Sequence, residues 1–179
     1  MIKYNEKEGN VFDYEDEYAI AHCISADLGL STGLARVMES RHGVRASLQS
    51  VYGSELYFNG HGYCLPSNNG HIFNLIVQGK EYGSFTYEAA EEALRSMFII
   101  AFLHDVKKIV MPRIGAGLAG LDWGKMREII FRIYEKIEIA LAVDLELEIL
   151  VVYPHEDDEL HIEEPEVRWK DNELSKRYH

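Results

Sequence analysis

Apolar residues fall along the chain in two rhythms. Tyr18 to Ser25 (YAIAHCIS), His71 to Val77 (HIFNLIV) and Lys108 to Met111 (KIVM) are short unbroken runs of the kind that fill buried strands. Leu145 to Tyr153 (LELEILVVY) alternates and then becomes wholly apolar, as a strand entering a buried sheet does. Met1 to Glu8 predicts a further strand. Glu55 to Phe58 and Tyr63 to Leu65 predict two short ones, joined by Asn59-Gly60, a hairpin signal. Elsewhere the spacing is helical. Ala90, Leu94, Met97, Phe98 and Ala101 form one stripe; Met126, Ile129, Ile130, Ile133, Tyr134 and Ile137 form another. Thr86 and Asp122 stand as N-caps before these two helices. Gly33-Leu34-Ala35 opens a third helical stretch, and Arg36 to Val51 is helical and then turns. Strands alternating with helices predict an α/β domain.

Composition narrows the partners. The 179 residues suit one domain with a sizeable core, and 47% hydrophobic content is ordinary for a globular chain. Thirty acidic against 18 basic residues give −12, which argues against direct binding of duplex nucleic acid. An anionic ligand would have to be held mainly by backbone dipoles. No apolar run reaches the length of a membrane span, and no signal peptide precedes the first strand, so no membrane partner is expected. Cys23 and Cys64 both lie in strand-like runs and read as reduced core residues, consistent with a cytoplasmic location. Residues 1–153 read as the domain. Pro154 to His179 is a charged extension, either a disordered tail or a helix docked through Leu160, Ile162, Val167 and Trp169. His155, His161 and His179 lack the spacing of a zinc site, and nothing calls for a metal or a cofactor.

The stretch with the most chemical content is Met111 to Trp123 (MPRIGAGLAGLDW). Pro112 ends a strand because it cannot donate to a ladder. Gly115, Gly117 and Gly120 then leave a loop with little side-chain bulk, and Asp122 opens a helix. Strand, glycine loop and helix start together present backbone N–H groups to a phosphate. A plain turn without a ligand explains the same residues. His22, inside an apolar strand, is on its own more simply a satisfied core histidine than a catalytic one.

Two motifs tip these readings. MPRIGAGLAGLDW resembles the second phosphate loop of macrodomains, the ADP-ribose-binding α/β modules, and Ala21 to Ala35 (AHCISADLGLSTGLA) resembles their first loop, in the family's order. The nearest subgroup contains the terminal ADP-ribose glycohydrolase and the ADP-ribose-1″-phosphate phosphatase. The resemblance covers residues 1–153 and implies a three-layer α-β-α fold with a central mixed sheet. It implies ADP-ribose or ADP-ribose-1″-phosphate as ligand, with ADP-ribosylated macromolecules as further partners. It implies ligand contacts from Gly9, Asn10 and Val11 at the adenine. Ser25, Leu30, Ser31, Thr32, Gly33 and Leu34 would contribute from the first loop. Pro112, Arg113, Ile114, Gly115, Ala116, Gly117, Leu118 and Ala119 would contribute from the second.

Tyr153 would stack on adenine or simply pack. His22 matches a functional histidine of the phosphatase, so the resemblance makes it the catalytic residue of phosphate release. Thr32 and Ser31 can touch ligand or cap the helix. Asp27 can orient water or hold its loop. Two departures matter: Gln78 stands where the glycohydrolase has its catalytic lysine, and Ala119 where it has an acidic residue. Lys80 is close by in the polar loop Gln78 to Phe85. The reading is therefore an ADP-ribose binder and phosphatase. A non-catalytic reader, or a hydrolase acting through Lys80 or Asp27, stands as the alternative. Arg41, His42 and Arg45 read as a solvated helix face.

Overall fold

The structure is a computed structural model that describes residues 1–54 and 61–155. The expected strand at Glu55 to Phe58, the Asn59-Gly60 turn and all but the first two residues of the charged extension lie outside them. Six strands form one sheet: β1 (Ile2–Glu8), β2 (Ala19–Ser25), β3 (Tyr63–Ser67), β4 (Ile72–Gln78), β5 (Lys108–Pro112) and β6 (Leu147–Tyr153). Their order is β1-β6-β5-β2-β4-β3. Every neighbouring pair is parallel except β3 with β4. The helices are α1 (Gly33–His42), α2 (Val44–Tyr52), α3 (Tyr87–Leu103) and α4 (Trp123–Leu141). The mixed sheet and its two helical layers are the fold the sequence predicted.

Parallel strands covered on both faces need apolar side chains at every position, and this is why the strand signals are unbroken runs. In β2 the alternation still sorts the faces. Ala19 and Ala21 join the core under α3 and α4, while Ile20 and Ile24 join the core under α1 and α2. The two helical stripes read from the sequence are both buried against the first of these cores. Thr86 caps α3 through Ala89 N at 3.2 Å, and Asp122 caps α4 through Lys125 N at 2.8 Å. Pro66 sits in β3 without cost to the ladder, because β3 lies at the edge of the described sheet.

A 3-10 turn at Val11–Tyr14 follows Asn10. One element differs from the expectation. The stretch read as one helix is two, because Gly43 adopts φ 58, ψ 46, closes α1 through its N–H to Glu39 O and opens α2. Glycine takes that left-handed conformation without the penalty a Cβ would bring.

Candidate functional site

Five parallel strands put five strand ends on one side of the molecule. Gly9-Asn10 follows β1, the first loop follows β2, the polar loop follows β4, the second glycine loop follows β5, and Tyr153 ends β6. β2 and β5 are hydrogen-bonded neighbours. The chain leaving β2 enters α1 and α2 on one face, and the chain leaving β5 enters α4 on the other. Diverging connections above adjacent parallel strands open a crevice, which is where open α/β sheets hold ligands. Both predicted phosphate loops border it.

The second loop is built as a phosphate cradle would be. Gly115 has φ +76, and a Cβ there would fall 2.8 Å from the Leu121 side chain, so only glycine fits. Leu121 N bonds Gly115 O at 2.8 Å and Gly120 N bonds Gly117 O at 3.0 Å, closing the loop on itself. Ala116, Gly117, Leu118, Ala119 and Gly120 are exposed, Leu118 at 92%. Among the described residues, the N–H groups of Gly117, Leu118 and Ala119 make no hydrogen bond. They are free donors in a loop without bulk. Ile114 is the buried anchor, 2% exposed, so its contribution is backbone only.

The first loop carries different devices. Leu28 and Leu30 both have positive φ, 53° and 48°, a conformation that costs an ordinary residue about 1–2 kcal/mol. Their side chains are 5% and 4% exposed, and burying a leucine contributes about 1.5–3 kcal/mol, enough to offset the strain. Arg45 clamps the loop from below. Its guanidinium donates to Leu28 O at 2.9 and 3.1 Å and to Gly29 O at 3.0 Å. Arg45 is part-exposed, as expected of a helix face, but its guanidinium is committed to these carbonyls and to Glu39, while Arg41 and His42 pair with Glu15. Asp27 organises the loop from within: it accepts from Ser25 Oγ at 2.6 Å, Gly29 N at 3.3 Å and Glu81 N at 3.2 Å. Burial would raise its carboxyl, but these hydrogen bonds outweigh that and hold it below the ordinary carboxylate range. Ser25 is itself buried, and its hydroxyl is committed to Asp27. Thr32 occupies the N-cap position of α1, yet its side chain makes no capping bond. Ser31 instead gives both its N–H (2.8 Å) and its hydroxyl (2.7 Å) to Glu81 Oε1.

At the far end, Asn10 Oδ1 accepts from Phe12 N at 3.0 Å and so caps the 3-10 turn, with Val11 buried beneath. Gly9 N is bonded to Tyr153 O at 3.0 Å. The Arg113 guanidinium lies 3.8 Å over the Tyr153 ring, so one ring face is already stacked. Arg113 also donates to Glu6 at 3.3 Å, and Glu6 accepts from Trp123 Nε1 at 3.0 Å and from Tyr4. Burial opposes ionisation of Glu6, but these hydrogen bonds and the charges of Arg113 and Arg127 win and lower its pKa. Neither Glu6 nor Trp123 carried a sequence signal for this role.

His22 is 0% exposed on the α1/α2 face of β2. Its Nε2 is 2.7 Å from Asn74 Oδ1, and Asn74 Nδ2 donates to Leu65 O and Ser67 Oγ. A ring with no exposed atom does not touch a ligand in the crevice. Burial pushes its pKa down to about 4, and the Asn74 bond only partly opposes this. The expected catalytic histidine is therefore placed in a buried polar ladder across β2, β4 and β3. Gln78 ends β4, and Lys80 is exposed in the loop that follows. The described residues hold no group of three or more His, Cys, Asp or Glu fit for a metal, and no helix among them is long and apolar enough to cross a membrane.

No protein-family model matches the chain. The chain is 26% identical over 136 residues to the ADP-ribose glycohydrolase of Homo sapiens, covering 76% of this chain and 87% of that protein. Among solved structures, the macrodomain of Mycobacterium tuberculosis DarG superposes with a TM-score of 0.65 at 14% identity, covering 87% of this chain and 99% of that one. The Trypanosoma brucei macrodomain in complex with ADP-ribose gives a TM-score of 0.61 at 13% identity, covering 88% and 63%. The chain has the macrodomain fold, and the resemblance to the terminal ADP-ribose glycohydrolase subgroup is consistent with these matches.

Proposed function

We propose that this chain binds ADP-ribose in the crevice above β2 and β5 and hydrolyses a bond at its distal ribose, as an ADP-ribose glycohydrolase acting on ADP-ribosylated macromolecules. The observation that carries the reading is the pair of loops diverging from adjacent parallel strands, one with free N–H donors at Gly117, Leu118 and Ala119. Backbone donors suit this chain, whose net charge of −12 leaves little else to hold a diphosphate. The identity to a glycohydrolase over most of both chains supports the reaction class. Asn10, Gly9 and Tyr153 stand at the adenine end, with the open face of Tyr153 as the stacking surface.

The chemistry does not run through the lysine and acidic positions of the glycohydrolase, which here are Gln78 and Ala119. Lys80, exposed two residues on, and Asp27, ionised in the first loop, are the groups left to act on water or on the distal ribose. Release of phosphate from ADP-ribose-1″-phosphate is the second reading. Its acid–base group would be His22, and the burial of that ring is why it ranks second.

The test is release of ADP-ribose from ADP-ribosylated protein, measured beside phosphate release from ADP-ribose-1″-phosphate, with ADP-ribose binding followed by calorimetry. ADP-ribose release that falls at least ~100-fold in Lys80→Ala or Asp27→Asn supports the first reading. Phosphate release abolished in His22→Gln restores the second. Binding without either turnover makes the chain a reader, and no binding refutes the site.

A further inference from the structure

Glu81 lies in the β4–α3 loop, and its side chain reaches into the first loop. Its Oε1 takes both the N–H and the hydroxyl of Ser31. Ser31 follows Leu30, whose φ of 48° is left-handed, and backbone N–H groups beside such residues commonly seat anions, as the Ser31 N–H here seats the Glu81 carboxylate. The seat is shaped for this carboxylate. Gly29 lies directly beneath it, and a Cβ at Gly29 would overlap the Glu81 carboxylate. The backbone of Glu81 is fixed in turn, since its N–H bonds both oxygens of Asp27 at 3.2 Å. Tyr82, next along, has φ +61 and is 72% exposed, with its hydroxyl 3.5 Å from Ser31 Oγ. Among the described residues no cation forms a salt bridge with Glu81; Arg45, on the other side of the loop, donates to the carbonyls of Leu28 and Gly29 and pairs with Glu39.

We infer that Glu81 is a specificity-determining residue: its carboxylate occupies the first loop's anion seat in the free chain, and an entering phosphate group must displace it. The inference rests on the proposed ADP-ribose site. An intramolecular carboxylate competes at a high effective concentration, which a small free anion cannot match. A ligand anchored elsewhere by its adenine and ribose can match it. Glu81 thereby excludes inorganic phosphate and pyrophosphate while admitting the whole nucleotide. The displaced carboxylate stays tethered close by, so it also disfavours any ligand with additional negative charge at the distal ribose.

The experiment is calorimetry of wild type, Glu81→Gln and Glu81→Ala with ADP-ribose and with inorganic pyrophosphate, alongside thermal midpoints. The expected result is an affinity for ADP-ribose about tenfold higher in Glu81→Ala than in wild type, with Glu81→Gln between them, and pyrophosphate binding that appears only in the variants. Glu81→Gln keeps an oxygen to accept from Ser31 and so preserves the clasp while removing the charge. Unchanged or weaker ADP-ribose binding in a folded Glu81→Gln variant would overturn the inference and leave Glu81 as a loop fastener. Pyrophosphate binding gained by the variants while no protein binds ADP-ribose would uphold the seat and sink the proposed function instead. No binding of either anion by any protein would sink both.

Discussion

The burial of His22 can be tested through pH. In the folded chain its imidazole is driven down to about 4, chiefly by burial, while an unfolded histidine titrates near 6.5. Between those values the unfolded chain binds a proton that the native chain does not. Stability from this group is therefore complete above pH 6.5 and is lost as the pH falls towards 4. Each pH unit in that window is worth about 1.4 kcal/mol, so the loss between pH 7 and pH 5 is about 2 kcal/mol. Asp27 and Glu6, both held below the ordinary carboxylate range, lose their contributions mainly at lower pH, and the difference between wild type and a non-titrating variant isolates the part due to His22. The assay is urea denaturation at pH 7, 6 and 5 for wild type and His22→Gln, whose amide keeps a donor for Asn74 Oδ1 without titrating. Wild type should lose stability over this range, and the variant should lose about 2 kcal/mol less. Equal pH slopes, or a His22 ring proton that titrates near 6.5 by NMR in the folded protein, would refute the buried, neutral histidine and return it to the list of catalytic candidates.

Other outcomes follow from the same geometry. Arg45→Ala should cost about 1–2 kcal/mol by urea denaturation, the value of charge-assisted bonds reduced for a side chain 42% exposed, and should weaken ADP-ribose binding as the first loop loses its shape. Arg45→Lys should recover less than half of either loss, because an ammonium lacks the planar fork by which Arg45 reaches both carbonyls through Nε and Nη2. Asn74→Ala should lower stability by about 2–4 kcal/mol, since it strands His22, Ser67 and Leu65 O at once in a buried site; a shift in the urea midpoint checks this. Leu30→Gly relieves a left-handed φ but removes a buried side chain, and the lost burial is the larger quantity, so the thermal midpoint should fall rather than rise.

The order of the two glycine loops, the strand runs and the helix stripes were all legible because each is local. Periodicity reports which faces an element must bury, and Asp122 and Thr86 cap groups three residues away. The site was legible only as far as its backbone. Gly115 is required by its own φ and by Leu121, six residues on. Glu81, Arg45, Glu6 and Trp123 act on residues 16 to 117 positions distant, and nothing in their immediate neighbours marks them. Arg45 in particular sits in a basic cluster whose other members pair with Glu15, and nothing local distinguishes the one that reaches the first loop.

By itself, then, the sequence determined an α/β chain with a glycine loop between a strand and a capped helix, because alternation, glycine placement and caps act within a few residues. Only the tertiary structure decided which side chains line the crevice and which vanish beneath it. Parallel pairing gathered five strand ends on one side. The pleat then turned His22 into the core, where Asn74, 52 residues away, partners its Nε2 while Nδ1 has no partner. Glu81 reached the Ser31 donors because the β2–β4 pairing holds their two loops side by side. A strand residue's face depends on the register of its neighbours, and that register exists only once the sheet has closed.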